Sequence, residues 1–338
     1  MLGQKASVIT EYITDVLKAK LVPMIHGSPG IGKSSIVQTI AKEWGLQVID
    51  ERLGQCDPTD MKGFPSVTDN KKATFLPMDT FPLEGDPLPK GKNGWLLFLD
   101  EFNAAPRSVQ AAAYKLILDR MVGQKKLHKN VAIVCAGNLE TDGAIVNQLS
   151  TANQSRLIHM ELNVHAADWI EWAQSSGIDH RITSYIAFCP QNLHKFDADH
   201  NDRTFACPRT WEFLSDLIKD WDKIPSKKVP LLAGVVSEGM AREFVNFTKV
   251  YKTLPNMADI IKDPENIAIP QEPSTRYALS GAIANSTDKE TVTPLLTYVN
   301  RLPPEFQIIT IKEMSKRYPG IQSNTLFIAK VTEIANMM

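Results

Sequence analysis

Apolar positions in the first half of the chain follow two rhythms, helical spacing and short unbroken runs. Val8, Ile9, Tyr12, Val16 and Leu17 recur at helical spacing and predict a helix over 5–20. The run Leu21-Val22-Pro23-Met24-Ile25 predicts a strand, Ser35 to Trp44 a helix stopped by Gly45, and Leu46 to Asp50 another strand. Trp95 to Leu99, Val131 to Ala136 and Leu157 to Leu162 read as further strands, with a helix over Ser108 to Leu118. Helix and strand in alternation predict an α/β fold, a parallel sheet covered by helices. In such a sheet, the residues just past the strand ends, Asp100, Glu101 and Asn138, gather at one edge.

Between Gln55 and Asn93 the alternation breaks. Asp57-Pro58-Thr59-Asp60 has turn and cap chemistry, and Gly63-Phe64-Pro65 reads as another turn. Asp69 to Lys72 form a hairpin tip between Pro65-Ser66-Val67 and Ala73 to Leu76, and Pro77, Pro82, Pro87 and Pro89 mark an irregular exit. From about Asn163 the strand signal fades, and helices are predicted over 166–175, 182–188, 210–219 and 229–250. Past Leu254, helices fall near 276–285, 291–301, 305–316 and 324–337, with Pro303-Pro304 between the second and third. The organisation expected is an α/β domain over 1–162 with an insertion at about 56–93, an all-α domain over 163–253 and a helical extension over 254–338.

The first loop of the sheet carries the chemistry. Gly27-Ser28-Pro29-Gly30-Ile31-Gly32-Lys33-Ser34 reads G-x-x-x-x-G-K-S between the first strand and a helix, with Ser35 next. Its glycines let backbone N–H groups turn onto a phosphate, the helix N-terminus adds positive potential, Lys33 can reach the β/γ-phosphates and Ser34 can hold Mg²⁺. The stretch therefore looks like a P-loop for a nucleoside triphosphate. The apolar strand ending in Asp100-Glu101 complements it: Asp100 can complete the Mg²⁺ shell with Ser34, and Glu101 can orient and deprotonate an attacking water. No N-K-x-D guanine-reading motif occurs, which points to ATP.

Composition narrows the partners. The 338 residues are 43% hydrophobic and 22% charged, ordinary for a globular chain, with a formal net charge of −1. That balance argues against broad nucleic-acid binding, although Lys125, Lys126, His128 and Lys129 cluster, as do Lys223, Lys227 and Lys228. No apolar run approaches the ~20 residues that span a bilayer, and the N-terminus lacks a signal pattern, so a cytoplasmic location is expected. Cys56, Cys135, Cys189 and Cys207 show no C-x-x-C spacing. Cys189, His194, His200 and Cys207 lie close in sequence, yet their spacing matches no common zinc pattern.

Taken together, these motifs resemble the AAA+ ATPases, and within them the MoxR-like and dynein-related branch. The resemblance rests on Gly27 to Ser34 as Walker A, Leu96 to Glu101 with Phe102-Asn103-Ala104-Ala105-Pro106 as Walker B, and Asn138 as sensor 1. Ser155-Arg156 resembles an arginine-finger position and Pro208-Arg209-Thr210-Trp211 a sensor 2, while Asp57 to Gly63 and the hairpin insertion also look like this branch. It covers roughly residues 5–250 and implies a P-loop NTPase domain followed by an all-α lid.

What the resemblance implies is a ring, commonly a hexamer, with ATP and Mg²⁺ at each subunit interface. Arg156 would then act on the neighbour's ATP, with Arg120 and Arg107 as fallback candidates, and Arg209 would make lid position depend on the nucleotide. A chaperone-like remodelling or maturation factor acting on a partner protein is the reading that follows. Phe64 is a possible counterpart of a pore-loop aromatic. The chain has no D-x-S-x-S motif of its own, so a partner bearing a von Willebrand factor A domain would be a separate polypeptide. The alternative is a DNA-directed loader, initiator or restriction-type motor.

Overall fold

Three short apolar runs form the centre of a parallel sheet, and their burial explains why they lack polar alternation. The computed structural model describes residues 2–69, 71–142, 147, 149–197 and 202–337. These make two compact units, one from residues 2–164 with Asp197 and one from residues 165–196 with 202–337. The first unit runs α1 (Ala6–Lys18), β1 (Val22–His26), α2 (Lys33–Glu43), β2 (Leu46–Arg52), α3 (Pro58–Lys62), β3 (Phe64–Val67), β4 (Ala73–Leu76) and β5 (Gly94–Asp100). It continues with α4 (Arg107–Leu118), β6 (Met121–Val122), β7 (Lys125–Lys126), β8 (Val131–Gly137), α5 (Thr151–Gln154) and β9 (Leu157–Glu161).

The sheet order is β2-β5-β8-β1-β9, with every pairing parallel. The continuous apolar runs are therefore the three interior strands, while β2 and β9, at the edges, carry partly exposed residues. Alternate side chains of the same strands feed two cores. Met24, Leu97, Leu99, Ile133 and Cys135 pack on α4 residues such as Val109 and Leu116. Ile25, Leu96, Phe98, Val134 and Ala136 pack on Ile9 and Ile13 of α1 and Ile36 and Ile40 of α2. Each such buried aliphatic side chain contributes about 1.5–3 kcal/mol of transfer free energy, so the sheet is anchored on both faces.

The insertion is more ordered than its sequence suggests. Asp57-Pro58-Thr59-Asp60, with the composition of a turn, starts α3: the Asp57 N–H donates to Asp60 Oδ2 at 2.7 Å, with Pro58 at the first helical position. The β3–β4 hairpin has the expected strands, and Phe64 opens β3 and is exposed, paired with exposed Leu76. A second small hairpin, β6–β7, has no signature in the apolar pattern; it holds Lys125 and Lys126 exposed, whereas His128 is buried edge-on against Trp95. The basic cluster seen in sequence is thus divided.

The second unit contains α6 (Ala166–Ser175), α7 (His180–Phe188), α8 (Pro208–Ile218), α9 (Val229–Val236), α10 (Glu238–Thr248) and α11 (Met257–Lys262). It ends with α12 (Pro273–Asn285), α13 (Val292–Val299), α14 (Pro304–Arg317) and α15 (Thr325–Met337). The helix expected over 229–250 is two helices. Ser237, at φ 80°, turns the chain left-handed, and its N–H closes α9 on the Ala233 carbonyl. The short α11 has no counterpart in the sequence reading. Tyr185, Trp211 and Phe244 pack ring against ring, and the Trp211 indole donates to the Asn192 carbonyl. Of the four residues considered as a metal cluster, His200 lies outside the described residues, and no group of three or more His, Cys, Asp or Glu suited to a metal occurs among the described ones.

One ionisable group sits deep in this unit. Glu313 of α14 is buried, its Oε2 has no hydrogen-bond partner among the described residues, and burial pushes its pKa up to about 7, against smaller lowering effects of Arg317 and Gln174. Its folded-state pKa lies above the unfolded one, so its contribution is complete at low pH and is lost as pH rises towards about 7. Glu313→Gln should therefore flatten the pH dependence between about pH 5 and pH 8, a difference of order 3 kcal/mol. Urea unfolding at both pH values measures it, and equal slopes in wild type and variant would contradict the burial argument.

Candidate functional site

The site lies past the carboxyl ends of β1, β5 and β8, the strands with the longest buried runs. Between β1 and α2, the loop turns through two glycines with positive φ, Gly30 at 75° and Gly32 at 101°. Side-chain-bearing residues rarely adopt such values. Gly27 answers a different demand, because a Cβ there would come within 2.6 Å of Ile31 Cδ1 and 3.0 Å of the Leu162 carbonyl oxygen. Gly32 caps α2, whose first residues Lys33, Ser34 and Ser35 stand at the positive end of an 11-residue helix. Ser28 Oγ donates to Asp142 Oδ1 at 3.3 Å, and Pro29 and Ile31 complete the loop half-buried.

Lys33 is buried, and among the described residues its ammonium donates to three oxygens. Nζ donates to the Gly27 carbonyl at 2.6 Å, the Ser28 carbonyl at 3.0 Å and Asn138 Oδ1 at 3.0 Å. The loop backbone and the end of β8 thus converge on one cation. Asn138 is itself set by Asn103, which the sequence marks only as part of a longer motif. Asn103 Nδ2 donates to the Asn138 carbonyl at 2.8 Å, and the Asn138 N–H donates to Asn103 Oδ1 at 3.1 Å. A Cβ on Gly137 would lie 2.3 Å from Asn103 Oδ1, so that position must be glycine for the pair to close.

The carboxylates stand beside this cation. Ser34 Oγ and Asp100 Oδ2 are 3.5 Å apart, a hydroxyl and a carboxylate facing one point from two elements. Asp100 Oδ1 accepts the Glu101 N–H at 2.8 Å. Glu101 does not continue the strand: its φ is 54°, and its carbonyl accepts the N–H groups of Ala104 and Ala105. A left-handed conformation at a non-glycine residue costs of order 1 kcal/mol, and here it leads the chain out of the strand into that turn. Glu101 Oε2 would lie 2.7 Å from a Cβ at Gly54, so that glycine makes room for the carboxylate. Asp50, on the neighbouring strand, has its pKa raised by burial and then by Asp100.

These residues suit a nucleoside triphosphate with Mg²⁺. Glycine-turned backbone, a helix N-terminus and a buried lysine match phosphate oxygens, and the Ser34–Asp100 pair matches a hard cation that keeps most of its ligands as water and phosphate.

The arginines separate. Arg156 follows α5, its Nη1 donates to Ser155 Oγ at 3.2 Å, and its guanidinium lies over the Tyr114 ring, 4.8 Å from the centroid. Arg120 is used within the fold: half-buried, it donates to the Val131 carbonyl, and burial lowers its pKa. Arg107 is exposed at the start of α4. Arg209 belongs to the helical unit, exposed as the second residue of α8.

Sequence reasoning misses four contributors: Gly54, Asn103's pairing, Asp142 on Ser28, and His26 at the end of β1. His26 Nε2 lies 2.8 Å from His159 Nδ1 with the rings stacked, and its pKa is lowered to about 4 by burial, then by His159 and Lys33. The local signal for His26 is its place directly before Gly27; nothing in sequence indicates His159.

Residues 23–162 match the family model described as "ATPase family associated with various cellular activities (AAA)". No curated protein matches the chain. Among solved structures, a point variant of Thermotoga maritima RuvB is similar at 16% identity and a TM-score of 0.39, over 86% of this chain and 87% of that one. The RuvB Holliday junction branch migration motor of the same organism is similar at 15% identity and a TM-score of 0.37, over 86% and 85%. A candidate ATPase from Cytophaga hutchinsonii is similar at 13% identity and a TM-score of 0.34, over 97% and 87%. The stretch similar to that AAA family model, residues 23–162, holds the P-loop and the parallel sheet of the first unit.

Proposed function

We propose that this chain binds and hydrolyses ATP as a ring-forming AAA+ protein of MoxR-like type and uses the cycle to remodel or mature a partner protein. The observation that carries the reading is the buried Lys33 ammonium bridging the Gly27 and Ser28 carbonyls and Asn138 Oδ1, beside the Ser34–Asp100 pair. On this reading the Gly27–Ser35 loop and Lys33 bind the triphosphate, and Ser34 and Asp100 would hold Mg²⁺, which neutralises phosphate charge. Glu101 takes the proton of the attacking water, whose position Asn138 helps to set. Arg156 reaches the γ-phosphate of a neighbouring protomer, and Arg209 couples the helical unit to nucleotide state. A hexamer, a cytoplasmic location and a separate von Willebrand factor A partner are the assembly that goes with this branch.

A second reading has one observation in its favour. Lys71 and Lys72 flank the tip of the β3–β4 hairpin, Lys125 and Lys126 form β7, and the two hairpins meet where Thr74 Oγ1 donates to Gln124 Oε1 at 3.4 Å. Exposed lysines on two joined hairpins beside exposed Phe64 offer a phosphate-binding surface for DNA.

Glu101→Gln should retain ATP binding while turnover falls by about 10²-fold or more. Lys33→Ala should lose ATP binding itself, measured with a fluorescent analogue. Arg156→Ala should reduce turnover by about 10³-fold, and mixing it with Glu101→Gln should restore activity at interfaces where an intact arginine meets an intact glutamate. No recovery on mixing would count against a shared site. For the second reading, ATP turnover is measured with and without duplex and single-stranded DNA across a salt series. Stimulation that vanishes with salt and with Lys125→Glu/Lys126→Glu favours DNA, and unchanged turnover favours a protein substrate.

A further inference from the structure

The two histidines behind the P-loop form a hydrogen-bonded connection that leaves the site. His159 Nε2 lies 3.0 Å from the Gln154 carbonyl oxygen, and a carbonyl only accepts, so that nitrogen carries the proton. With the proton of His159 on Nε2, its Nδ1 faces His26 Nε2 at 2.8 Å as the acceptor of that pair. Donation therefore runs in one direction, from His26 to His159 to Gln154. The β1–β9 pairing holds the two rings in place, with Met24 opposite His159 and His26 opposite Glu161.

Both ends of this connection reach groups the nucleotide cycle would use. His26 adjoins Gly27, whose carbonyl accepts the Lys33 ammonium at 2.6 Å. A phosphate that attracts Lys33 competes with that carbonyl, with the Ser28 carbonyl and with Asn138, so occupancy of the loop changes the bonding of the peptide directly after His26. At the other end, Gln154 is the last residue of α5, and Ser155 and Arg156 follow it. The Ser155 N–H donates to the Thr151 carbonyl and the Arg156 N–H to the Asn153 carbonyl. Arg156 thus hangs from a turn whose last helical carbonyl is held by His159. Among the described residues, Lys33, Glu161, Arg156 and Asp15, which lines the same cavity as His159, are charged groups placed around this pair.

We infer that His159 is a positioning residue that transmits occupancy of a protomer's own P-loop, through His26, to the turn carrying the arginine it offers to the next protomer. The inference rests on the proposed nucleotide site and gives the ring a means of ordering its hydrolysis events: an empty loop leaves its own arginine mispositioned, and a filled one sets it. The connection is short and lies within one unit, so it needs no large movement to act.

Near-isosteric variants dissect the connection. His159→Asn keeps an acceptor near the Nδ1 position but cannot reach the Gln154 carbonyl. His26→Gln places an amide near the Nε2 position and can replace the donor, whereas His26→Leu cannot. The experiment is hydrogen exchange of the full chain over the peptide 151–157, with and without Mg²⁺ and the slowly hydrolysed analogue ATPγS, alongside ATPγS affinity and steady-state turnover. In wild type and His26→Gln, ATPγS should slow exchange at the Ser155 and Arg156 amides; in His159→Asn and His26→Leu that slowing should disappear, while the affinity of His159→Asn stays within about twofold. Turnover of His159→Asn should fall about tenfold in kcat with little change in KM, and its combination with Arg156→Ala should be no worse than Arg156→Ala alone. Equal nucleotide-dependent protection in His159→Asn and wild type, or no protection in wild type, would overturn the inference. Failure of wild type to bind ATPγS would instead overturn the nucleotide reading, and full turnover by Arg156→Ala would overturn the shared-arginine reading while leaving the exchange result to decide on His159.

Discussion

The structure depends on one buried charge. An ammonium group inside a protein is costly unless several oxygens replace its water, and Lys33 finds them at the Gly27 carbonyl, the Ser28 carbonyl and Asn138 Oδ1. Meeting that requirement specifies much else. The loop must double back on the start of its own helix, which requires positive φ at Gly30 and Gly32. The end of β8 must lie beside that of β1, which the parallel pairing of Met24 with Cys135 and Ile25 with Ala136 provides. Asn138 must present its oxygen inward, and Asn103 holds it there through two hydrogen bonds.

A cation arranged this way is satisfied without a ligand yet has partners that phosphate oxygens can outcompete. Neutral carbonyls and an amide oxygen are weaker acceptors for an ammonium than a phosphate anion is. The same logic applies to Asp100, whose Oδ1 is engaged by the Glu101 N–H while Oδ2 faces Ser34 Oγ. The left-handed backbone at Glu101 separates the two consecutive carboxylates, so that one strand end supplies two acidic groups aimed differently. Regular strand geometry would also point them apart, but it would not permit the turn in which Ala104 and Ala105 bond back to the Glu101 carbonyl.

The edges of the sheet are less fully buried than its centre. Strand β9 is covered on its inner side by β1 and carries both the His159 ring and, just before it, the turn with Arg156. The inner side of this edge strand is bonded to β1, and at its carboxyl end the outer side is met by Gln4, whose N–H donates to the Glu161 carbonyl at 2.8 Å. The hairpins of the insertion contrast with it. Their exposed Phe64, Val67 and Leu76 lie outside both cores, so their sequence is under little constraint from packing.

By itself the sequence determined the local features whose physics acts over a few residues. The buried strands were legible because their apolar runs are short and bounded, and the P-loop because its glycines, lysine and serine must be adjacent in the chain to form one turn. Asp100, Glu101 and Asn138 were legible because strand ends in a parallel sheet share an edge. Tertiary structure decided what depends on partners distant in sequence: the His26–His159–Gln154 connection, the room that Gly54 leaves for Glu101, the use of Arg120 on Val131, and the burial of His128 beside Trp95. It also divided the helix expected over 229–250, since a left-handed Ser237 has no signature in apolar spacing. The difference is physical. Backbone conformation and strand burial are written in neighbouring residues, whereas the orientation of a polar side chain is set by whichever group the folded chain places within about 3 Å of it.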